Sequence, residues 1–497
     1  MTAIRGLVAL GLLAFAGMHA STAAAAEARR PPNVVFILMD DMGWRDVGFM
    51  GNAFVETPHL DRLAKRGIVF TQAYASAPNC APTRACLMSG QYTPRHGIYT
   101  VVDPRQPPGS PWHKLQAAHS ESQLATEVVT LPESLKSRGY ATAFLGMWNL
   151  GRGRTGPVTP GGQGFDTVVF PENLGFAKDA YFDADGNQLS DRLTDEALTF
   201  IEQHRGGPFF VYLADHAIHA PYDPEPELRA KYEQKAGAAG DRRDDPAQAA
   251  TIEAVDRNVG RIVERLAKLG LADDTLVIFT SDNGGTSQHT PPLKGGKGEL
   301  YEGGVRVPLV VAGAGVAKPG TTCDVPVASV DFYPTLLELT GGKPIVGQTL
   351  DGVSLVPLLR GAKALPRERL FWHFPCYVGR ATPSSAVREG DWKLVEFFED
   401  GGRVELYDLA NDPSERRDLS HEHAERTASL VTTLHAWQRE TAAAIPREAN
   451  PAYDPQADRP RGGAGGAGGG GGGGGGGRGG RGRGGRGGRG GGRPSDT

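Results

Sequence analysis

Short apolar runs that alternate with helical patterns constrain the fold of this 497-residue chain more than any other feature. The run Pro32 to Met39 is apolar almost throughout and ends in Asp40 and Asp41, as a buried parallel strand with a polar carboxyl end would. Further strand-like runs lie at 140–145, 209–214, 276–280 and 307–312. Helical patterns lie at 57–65, 130–137, 192–204 and 247–268. The alternation predicts an α/β fold with a large, mostly parallel sheet flanked by helices.

The pattern changes after about residue 365. Residues 386–398 and 403–409 are typical of short antiparallel strands, and a helical pattern follows near 422–441. The chain is long enough for two domains. We therefore expect a first domain over 31–365 and a smaller C-terminal α+β domain with a short antiparallel sheet over 366–450.

Both ends of the chain differ from these domains. Residues 1–26 combine Arg5, an apolar stretch and a run of alanines, which predicts a secretory signal peptide; an uncleaved membrane anchor is the alternative. No other apolar run reaches about 20 residues, so we expect a secreted or periplasmic protein without a transmembrane span. Residues 451–497 turn to Pro, Asp and then nearly pure Gly and Arg, which predicts a disordered tail.

Charge is spread unevenly along the chain. Residues 461–497 carry seven arginines against one aspartate, so the remainder is more acidic than the overall charge of −4. An acidic body does not favour nucleic acid as a partner, and none is expected. The basic tail is either inert or touches acidic polysaccharide electrostatically, and both readings stay open.

Polar residues directly follow three of the predicted strands: Asp40 with Asp41, His216 with His219, and Asp282 with Asn283. Ligand sites in parallel sheets lie beyond the carboxyl ends of the strands, so the three clusters suit one shared crevice. Carboxylate and amide oxygens suit Ca²⁺ or Mg²⁺, and no clustered Cys/His spacing argues for zinc. Taken singly, the Asp40–Asp41 pair is also typical of a solvated turn, and the segment 281–285 of a turn.

The segment Cys80-Ala81-Pro82-Thr83-Arg84 resembles the nucleophile signature of the type I, formylglycine-dependent sulfatases of the alkaline phosphatase superfamily. Other segments resemble the same family: 32–41, 57–64, 281–285, 294–298, 301–308, 390–394 and 405–413. The resemblance extends from about Pro32 to Leu419. It implies an enzyme that hydrolyses sulfate esters, of carbohydrates or of aryl compounds.

The resemblance also implies roles for individual residues. A formylglycine-generating enzyme would oxidise Cys80 to formylglycine, whose hydrated aldehyde attacks sulfur. The divalent cation, Ca²⁺ in most relatives or else Mg²⁺, would be held by Asp40, Asp41, Asp282, Asn283 and the modified Cys80. Arg84 would pair with the formylglycine, Lys297 would hold a sulfate oxygen, and His219 would protonate or steady the leaving oxygen. Each residue also has an alternative without a catalytic role: Cys80 as a buried thiol, Lys297 as a solvated lysine and His219 as a core histidine. His216 is expected to be structural.

Two positions depart from the family pattern. Residues 139–146 fit its second motif, but Met147 takes the position of a sulfate-binding lysine and Asn149 that of a histidine. Methionine brings no charge and asparagine exchanges no proton near neutral pH, and one lost contact costs on the order of 10²–10³ in rate. Arg152 and Arg154 either compensate or are solvated. The remaining alternatives are a phosphonate monoester or phosphodiester hydrolase on the same scaffold, or a catalytically impaired glycan-binding protein.

The four cysteines are Cys80, Cys86, Cys323 and Cys376. In an exported chain they allow two disulfides in three connectivities, but modification of Cys80 leaves an odd number. Cys86 is expected to be a small buried residue on the helix that follows Cys80. A bridge between Cys323 and Cys376 stays open.

Overall fold

The computed structural model describes residues 30–101, 110–177, 180–239, 245–286, 289–343 and 345–457. The predicted signal peptide and residues 458–497 of the predicted tail lie outside the described residues. Residues 451–457 are described, and the Asp454 N–H donates to the Pro111 carbonyl oxygen at 2.7 Å. The signal peptide and the tail both remain predictions. Within the described part of the chain, no helix combines the length and the apolar composition that crossing a bilayer requires.

The strands are β1 (Asn33–Met39), β2 (Gly67–Phe70), β3 (Ala73–Tyr74), β4 (Ala141–Gly146), β5 (Thr167–Val169), β6 (Phe209–Asp215), β7 (Thr275–Ser281), β8 (Leu309–Gly313), β9 (Thr321–Cys323), β10 (Val327–Ala328), β11 (Arg369–Phe374), β12 (Ser384–Glu389), β13 (Trp392–Phe397) and β14 (Arg403–Asp408). The α-helices are α1 (Pro58–Lys65), α2 (Cys80–Ser89), α3 (Thr93–His96), α4 (Leu131–Lys136), α5 (Leu189–His204), α6 (Pro226–Ala239), α7 (Pro246–Lys268), α8 (Glu302–Val305), α9 (Phe332–Leu339), α10 (Val356–Leu359) and α11 (Ala424–Glu440). Short 3₁₀ helices lie at Gly48–Met50, Pro171–Leu174, Ser329–Asp331 and Phe398–Asp400.

Eight of these strands form one large sheet in the order β5-β4-β6-β1-β7-β8-β2-β9. The five strands from β5 to β7 run parallel, with β1 paired to β6 on one side and β7 on the other. The predicted run 307–312 does contain a strand, β8, but it runs antiparallel to both β7 and β2. An antiparallel strand toward the edge of a parallel sheet is common, and the mostly parallel α/β prediction is confirmed.

The central strand β1 shows why apolar runs build this sheet. Val35, Ile37 and Met39 belong to the core on one face, together with residues of α1, α5 and α7. Val34, Phe36 and Leu38 belong to the core on the other face, together with residues of α2, α4 and α9. Alternate side chains leave a strand on opposite faces, so a strand covered on both sides must be apolar at every position.

The C-terminal region folds as a four-stranded antiparallel sheet in the order β11-β12-β13-β14, with α11 packed against β12 and β13. The predicted small α+β element is therefore confirmed, although its proposed boundaries, 31–365 and 366–450, remain a prediction. The run 386–398 is a hairpin that turns at Gly390, whose φ of +59° favours glycine, and β11 was not predicted. All four cysteines are free, so the bridge left open between Cys323 and Cys376 is absent.

Candidate active site

Four neighbouring parallel strands end at the same edge of the large sheet. β4 leads into Met147, β6 into His216, β1 into Asp40 and β7 into Asp282. The crevice expected from the strand ends is therefore present, with the α2 residues Cys80 and Arg84 brought to it.

Three carboxylates and the Cys80 thiol form a compact buried cluster. Asp40, Asp41, Asp282 and Cys80 each offer one ligand atom, and these atoms all lie within 4.8 Å of one another. The Cys80 thiol donates a hydrogen bond to Oδ1 of Asp40 at 3.1 Å. We call Asp40, Asp41 and Asp282 the carboxylate cluster. It concentrates negative charge where water is excluded, which is unfavourable unless cations neutralise it.

The side chain of Asn283 gives further evidence that the carboxylate cluster suits a cation. Its side-chain nitrogen donates to Oδ1 of Asp41 and to the Gly284 carbonyl oxygen, both at 2.8 Å. Its carbonyl oxygen, Oδ1, is buried and has no hydrogen-bond partner among the described residues. A buried amide oxygen without a partner costs free energy, and a hard cation would satisfy it. Three carboxylates and this orphaned oxygen are the donor set that Ca²⁺ or Mg²⁺ prefers, so the residues present fit such an ion.

Arg84 is the most deeply buried cation of the site, with its side chain 1% exposed. It follows Cys80 by four residues on α2, and this spacing puts both side chains on one face of the helix. Its guanidinium donates to Oδ2 of Asp282 from Nε at 2.9 Å and from Nη2 at 2.7 Å. It also reaches Oδ2 of Asp40 at 3.1 Å and donates to the backbone carbonyl of Met147. Arg84 therefore joins the ends of β1, β4 and β7.

Lys297 is the second cation at the carboxylates. Its Nζ lies 2.6 Å from Oδ1 of Asp41, and its side chain is 19% exposed. The Lys297 backbone N–H donates to the Gly285 carbonyl oxygen at 3.0 Å. The ammonium group is thus held beside the cluster while one side stays open to the crevice, as an anion-binding group requires.

Burial and neighbouring charges shift the pKa values of the groups in this cluster in different directions. Burial favours the neutral form of Asp40, but Arg84, Lys297 and His219 outweigh it and hold the pKa of that carboxyl well below its usual range. Burial raises the pKa of Asp282 to about 7, and the nearby charge of Asp40 adds to this effect. Burial, reinforced by the charge of Asp40, also raises the pKa of the Cys80 thiol well above its usual value. As a thiol, Cys80 is therefore held neutral and is a poor nucleophile.

The two predicted histidines occupy different positions. His219 has a side chain 39% exposed, with Nε2 lying 3.7 Å from Oδ2 of Asp41. Its Nδ1 is 2.8 Å from the Ala220 carbonyl oxygen, so Nδ1 carries the proton of the neutral ring and Nε2 is left for proton exchange. His216 is buried beside Tyr181, and its Nδ1 has no hydrogen-bond partner among the described residues.

The segment that departs from the family pattern lies beside Arg84. Met147 contributes its backbone carbonyl, and Asn149 has a φ of +61°, a conformation that asparagine tolerates. Arg152 and Arg154 are both exposed, and Arg154 pairs with Glu172 and lies 4.4 Å over the Phe170 ring. Among the described residues, the basic side chains that contact the carboxylates are Arg84, Lys297 and His219, so neither loop arginine takes the place of the missing lysine here.

Sequence reasoning missed the glycines that bring Lys297 to the site. A Cβ on Gly284 would lie 2.0 Å from the Gly303 carbonyl oxygen, and one on Gly304 would lie 2.0 Å from the Glu299 carbonyl oxygen. These backbones approach so closely that no side chain fits between them. The glycine pairs 284–285 and 303–304 were the available signal.

Comparison with protein-family models gives two matches. The family described as sulfatase matches residues 32–342. The family described as N-sulphoglucosamine sulphohydrolase, C-terminal, matches residues 296–442. The first match includes β1, α2 and the ends of β4, β6 and β7, which together build the crevice.

Comparison with individual proteins gives relatives along most of the chain. A sulfatase of Formosa agariphila is 32% identical over 520 residues, covering 87% of this chain and 93% of the relative. Human arylsulfatase A is 31% identical over 470 residues, covering 82% of this chain and 87% of the relative. The crystal structure of Ps i-CgsB in complex with k-i-k-neocarrahexaose is 28% identical with a TM-score of 0.70, covering 84% of this chain and 95% of that one.

Proposed function

Because this chain belongs to the sulfatase family of sulfuric ester hydrolases, we propose that it removes sulfate from a sulfated carbohydrate, with aryl sulfates as model substrates. The observation that carries the proposal is the Cys80 side chain lying within one buried cluster with three carboxylates. A relative solved with a neocarrahexaose supports a carbohydrate as the natural substrate.

The proposed catalytic residues are Cys80, Arg84, His219 and Lys297, and the proposed cation ligands are Asp40, Asp41, Asp282, Asn283 and the modified Cys80. Conversion of Cys80 to formylglycine would replace a neutral, buried thiol by an aldehyde, and addition of water to the aldehyde would give a hydrate with two hydroxyls. When bound, a divalent cation, Ca²⁺ in this proposal, supplies Lewis-acid polarisation and lowers the pKa of a hydroxyl.

The protein's own side chains orient and neutralise the reacting groups. Arg84 fixes the orientation of Asp40 and Asp282, because its planar guanidinium bonds both carboxylates at once. Lys297 is the charge available to hold a sulfate oxygen. His219 would hold or give a proton at Nε2, the nitrogen that its contact with the Ala220 carbonyl leaves available.

Maturation and export complete the proposal. We infer that a formylglycine-generating enzyme acts on Cys80 and that the protein is secreted or periplasmic, on the signal-peptide pattern of residues 1–26. Catalytic assays therefore require protein that is produced together with that enzyme.

The proposal predicts a clear preference among ester substrates. We expect kcat/KM for an aryl sulfate, or for a sulfated oligosaccharide, to exceed that for the matching phosphonate monoester and phosphodiester by at least about tenfold. Initial rates with aryl esters that share one leaving group measure the ratio. The opposite order supports the phosphonate or phosphodiester hydrolase. Binding of a sulfated glycan without turnover of any ester supports the catalytically impaired protein.

Restoring the family residues at two positions tests whether they limit the rate. We expect Met147→Lys combined with Asn149→His to raise kcat/KM for an aryl sulfate by on the order of 10²-fold, because a charge and a proton-exchanging group return to the anion pocket. Histidine is among the residues that tolerate the positive φ of position 149. Arg154→Met is the matched control and should change kcat/KM less than about twofold, since Arg154 pairs with Glu172. If kcat/KM does not increase in the double variant, Met147 and Asn149 do not limit the rate.

A further inference from the structure

A buried ionic cluster outside the carboxylate cluster joins the C-terminal sheet to the segment that carries Lys297. Lys393 on β13 lies with its Nζ 2.9 Å from Oε1 of Glu302 and 3.0 Å from Oε1 of Glu415. The Glu302 backbone N–H donates to Oε2 of Glu415 at 2.6 Å. None of the three side chains is more than 1% exposed. We call Glu302, Lys393 and Glu415 the ionic triad.

This arrangement is costly to build. Removing charges from water is unfavourable, and apolar residues of similar volume often stabilise a fold as well or better. Glu415 also has a φ of +52°, a left-handed conformation that is strained for a residue other than glycine. Stability alone is therefore a weak explanation for the ionic triad, and its position suggests another.

Glu302 forms the base of the loop 294–304, whose tip is Lys297. The Gly303 N–H donates to the Lys294 carbonyl oxygen at 2.8 Å, which closes the loop directly beside Glu302. Within the loop, a Cβ on Gly304 would lie 2.4 Å from the Gly296 carbonyl oxygen, so the loop backbone is closely packed against itself. Movement at Glu302 would therefore be transmitted to Lys297.

The tip of the loop is attached to the active site by separate contacts. The Lys297 N–H donates to the Gly285 carbonyl oxygen at 3.0 Å, and the Gly298 N–H donates to the Pro78 carbonyl oxygen at 2.7 Å. The loop thus spans from the end of β7 and the start of α2 to the C-terminal sheet. On the C-terminal side, Lys294 donates to the Tyr407 hydroxyl at 2.8 Å and the Tyr301 hydroxyl donates to Glu405 at 2.7 Å. The ionic triad is the fully buried anchor on that side.

We propose that the ionic triad positions Lys297, so that the C-terminal sheet sets the anion-binding group of the active site. Lys393 and Glu415 are positioning residues that act through Glu302 and the loop. The inference rests on the proposed role of Lys297 for its effect on catalysis, but the mechanical link can be measured without any substrate.

Hydrogen exchange followed by mass spectrometry tests the mechanical link. In full-length Lys393→Met we expect faster amide exchange in residues 294–300, because the base of the loop is released. This variant removes the cation that pairs with Glu415 and leaves Glu302 with the Tyr74 hydroxyl at 2.8 Å and Arg306 at 3.6 Å. A second variant, Lys393→Met with Glu302→Gln and Glu415→Gln, therefore removes every charge of the triad and is measured in the same way. Faster exchange in 294–300 supports the inference, and unchanged exchange in the folded variant overturns it.

Arg367→Met is the matched control. Arg367 forms a buried ion pair with Asp331 and donates to the Pro326 carbonyl oxygen, so it also joins distant segments but does not contact the loop. We expect its substitution to leave exchange in 294–300 unchanged. Equal acceleration in Arg367→Met would mean a general loosening of the protein and would overturn a specific role for the ionic triad.

A kinetic double-mutant cycle tests the catalytic consequence. We expect Lys393→Met to lower kcat/KM for an aryl sulfate by about 10- to 10²-fold when Lys297 is present, and to cause no further loss in a Lys297→Met background. Equal losses in both backgrounds overturn the inference. If Lys297→Met alone leaves kcat/KM unchanged, the role proposed for Lys297 is wrong, and the exchange data alone then decide whether the ionic triad holds the loop.

Discussion

Replacing Cys80 by alanine is expected to lower kcat for sulfate ester hydrolysis by on the order of 10⁶-fold, as loss of a covalent nucleophile does in other hydrolases. Cys80 reaches the carboxylate cluster from α2, and no other cysteine belongs to that cluster within the described residues. Initial rates with an aryl sulfate, on protein produced together with the formylglycine-generating enzyme, measure the loss.

Cys86→Ala is the matched control for this substitution. Cys86 lies on the same helix and is equally buried, but its Sγ contacts Nε2 of His96 at 3.4 Å, away from the carboxylate cluster. We expect this variant to keep the rate of the parent protein. A Cys80→Ala protein that retains more than about a hundredth of the parent kcat contradicts the proposed covalent route.

Removal of divalent cations is expected to cause the second large effect. Chelation should abolish turnover and lower the free energy of unfolding by about 4 kcal/mol relative to protein with Ca²⁺ at 1,000 times its Kd. The reason is that Asp40, Asp41 and Asp282 then share a buried site without the ion, and the side-chain oxygen of Asn283 stays unpaired. Thermal unfolding with and without chelator, together with elemental analysis, measures the effect.

A variant that cannot hold the ion makes this test specific. Asp41→Asn should melt at the same temperature with and without chelator, because the stabilisation by the ion is already lost. Restoring Ca²⁺ or Mg²⁺ to the chelated parent identifies the preferred ion, and we expect Ca²⁺ to act at the lower concentration. The proposed site is contradicted if the parent protein contains no divalent cation and its melting temperature does not change with the chelator.

The strands that could be predicted are those whose own residues indicate burial on both faces. Runs such as 32–39 and 209–214 are apolar at nearly every position, because both faces of the parallel sheet are covered. β2 was missed because its four residues follow α1 directly, and Gly67 reads as the end of that helix. The reversed direction of β8 was missed because strand direction depends on pairing between distant segments, which an apolar run does not encode.

Part of the active site could also be predicted from the sequence. Carboxyl ends of neighbouring parallel strands meet at one edge, so Asp40, Asp41 and Asp282 could be grouped from order alone. The four-residue spacing of Cys80 and Arg84 likewise fixes one helical face. Arg84 contacts strand ends that lie 44, 63 and 198 residues away along the chain. The ionic triad behind Lys297 likewise joins separate segments, and nothing local in the sequence marks either set of contacts.

Mass spectrometry of the peptide that contains Cys80 tests the central claim most directly. The protein is produced together with a formylglycine-generating enzyme, purified and digested, and its activity on an aryl sulfate is measured on the same sample. The account predicts that Cys80 has lost one sulfur and two hydrogens and gained one oxygen, and that turnover rises in proportion to the converted fraction. Unmodified Cys80 in a protein that hydrolyses the sulfate ester at its full rate would contradict it.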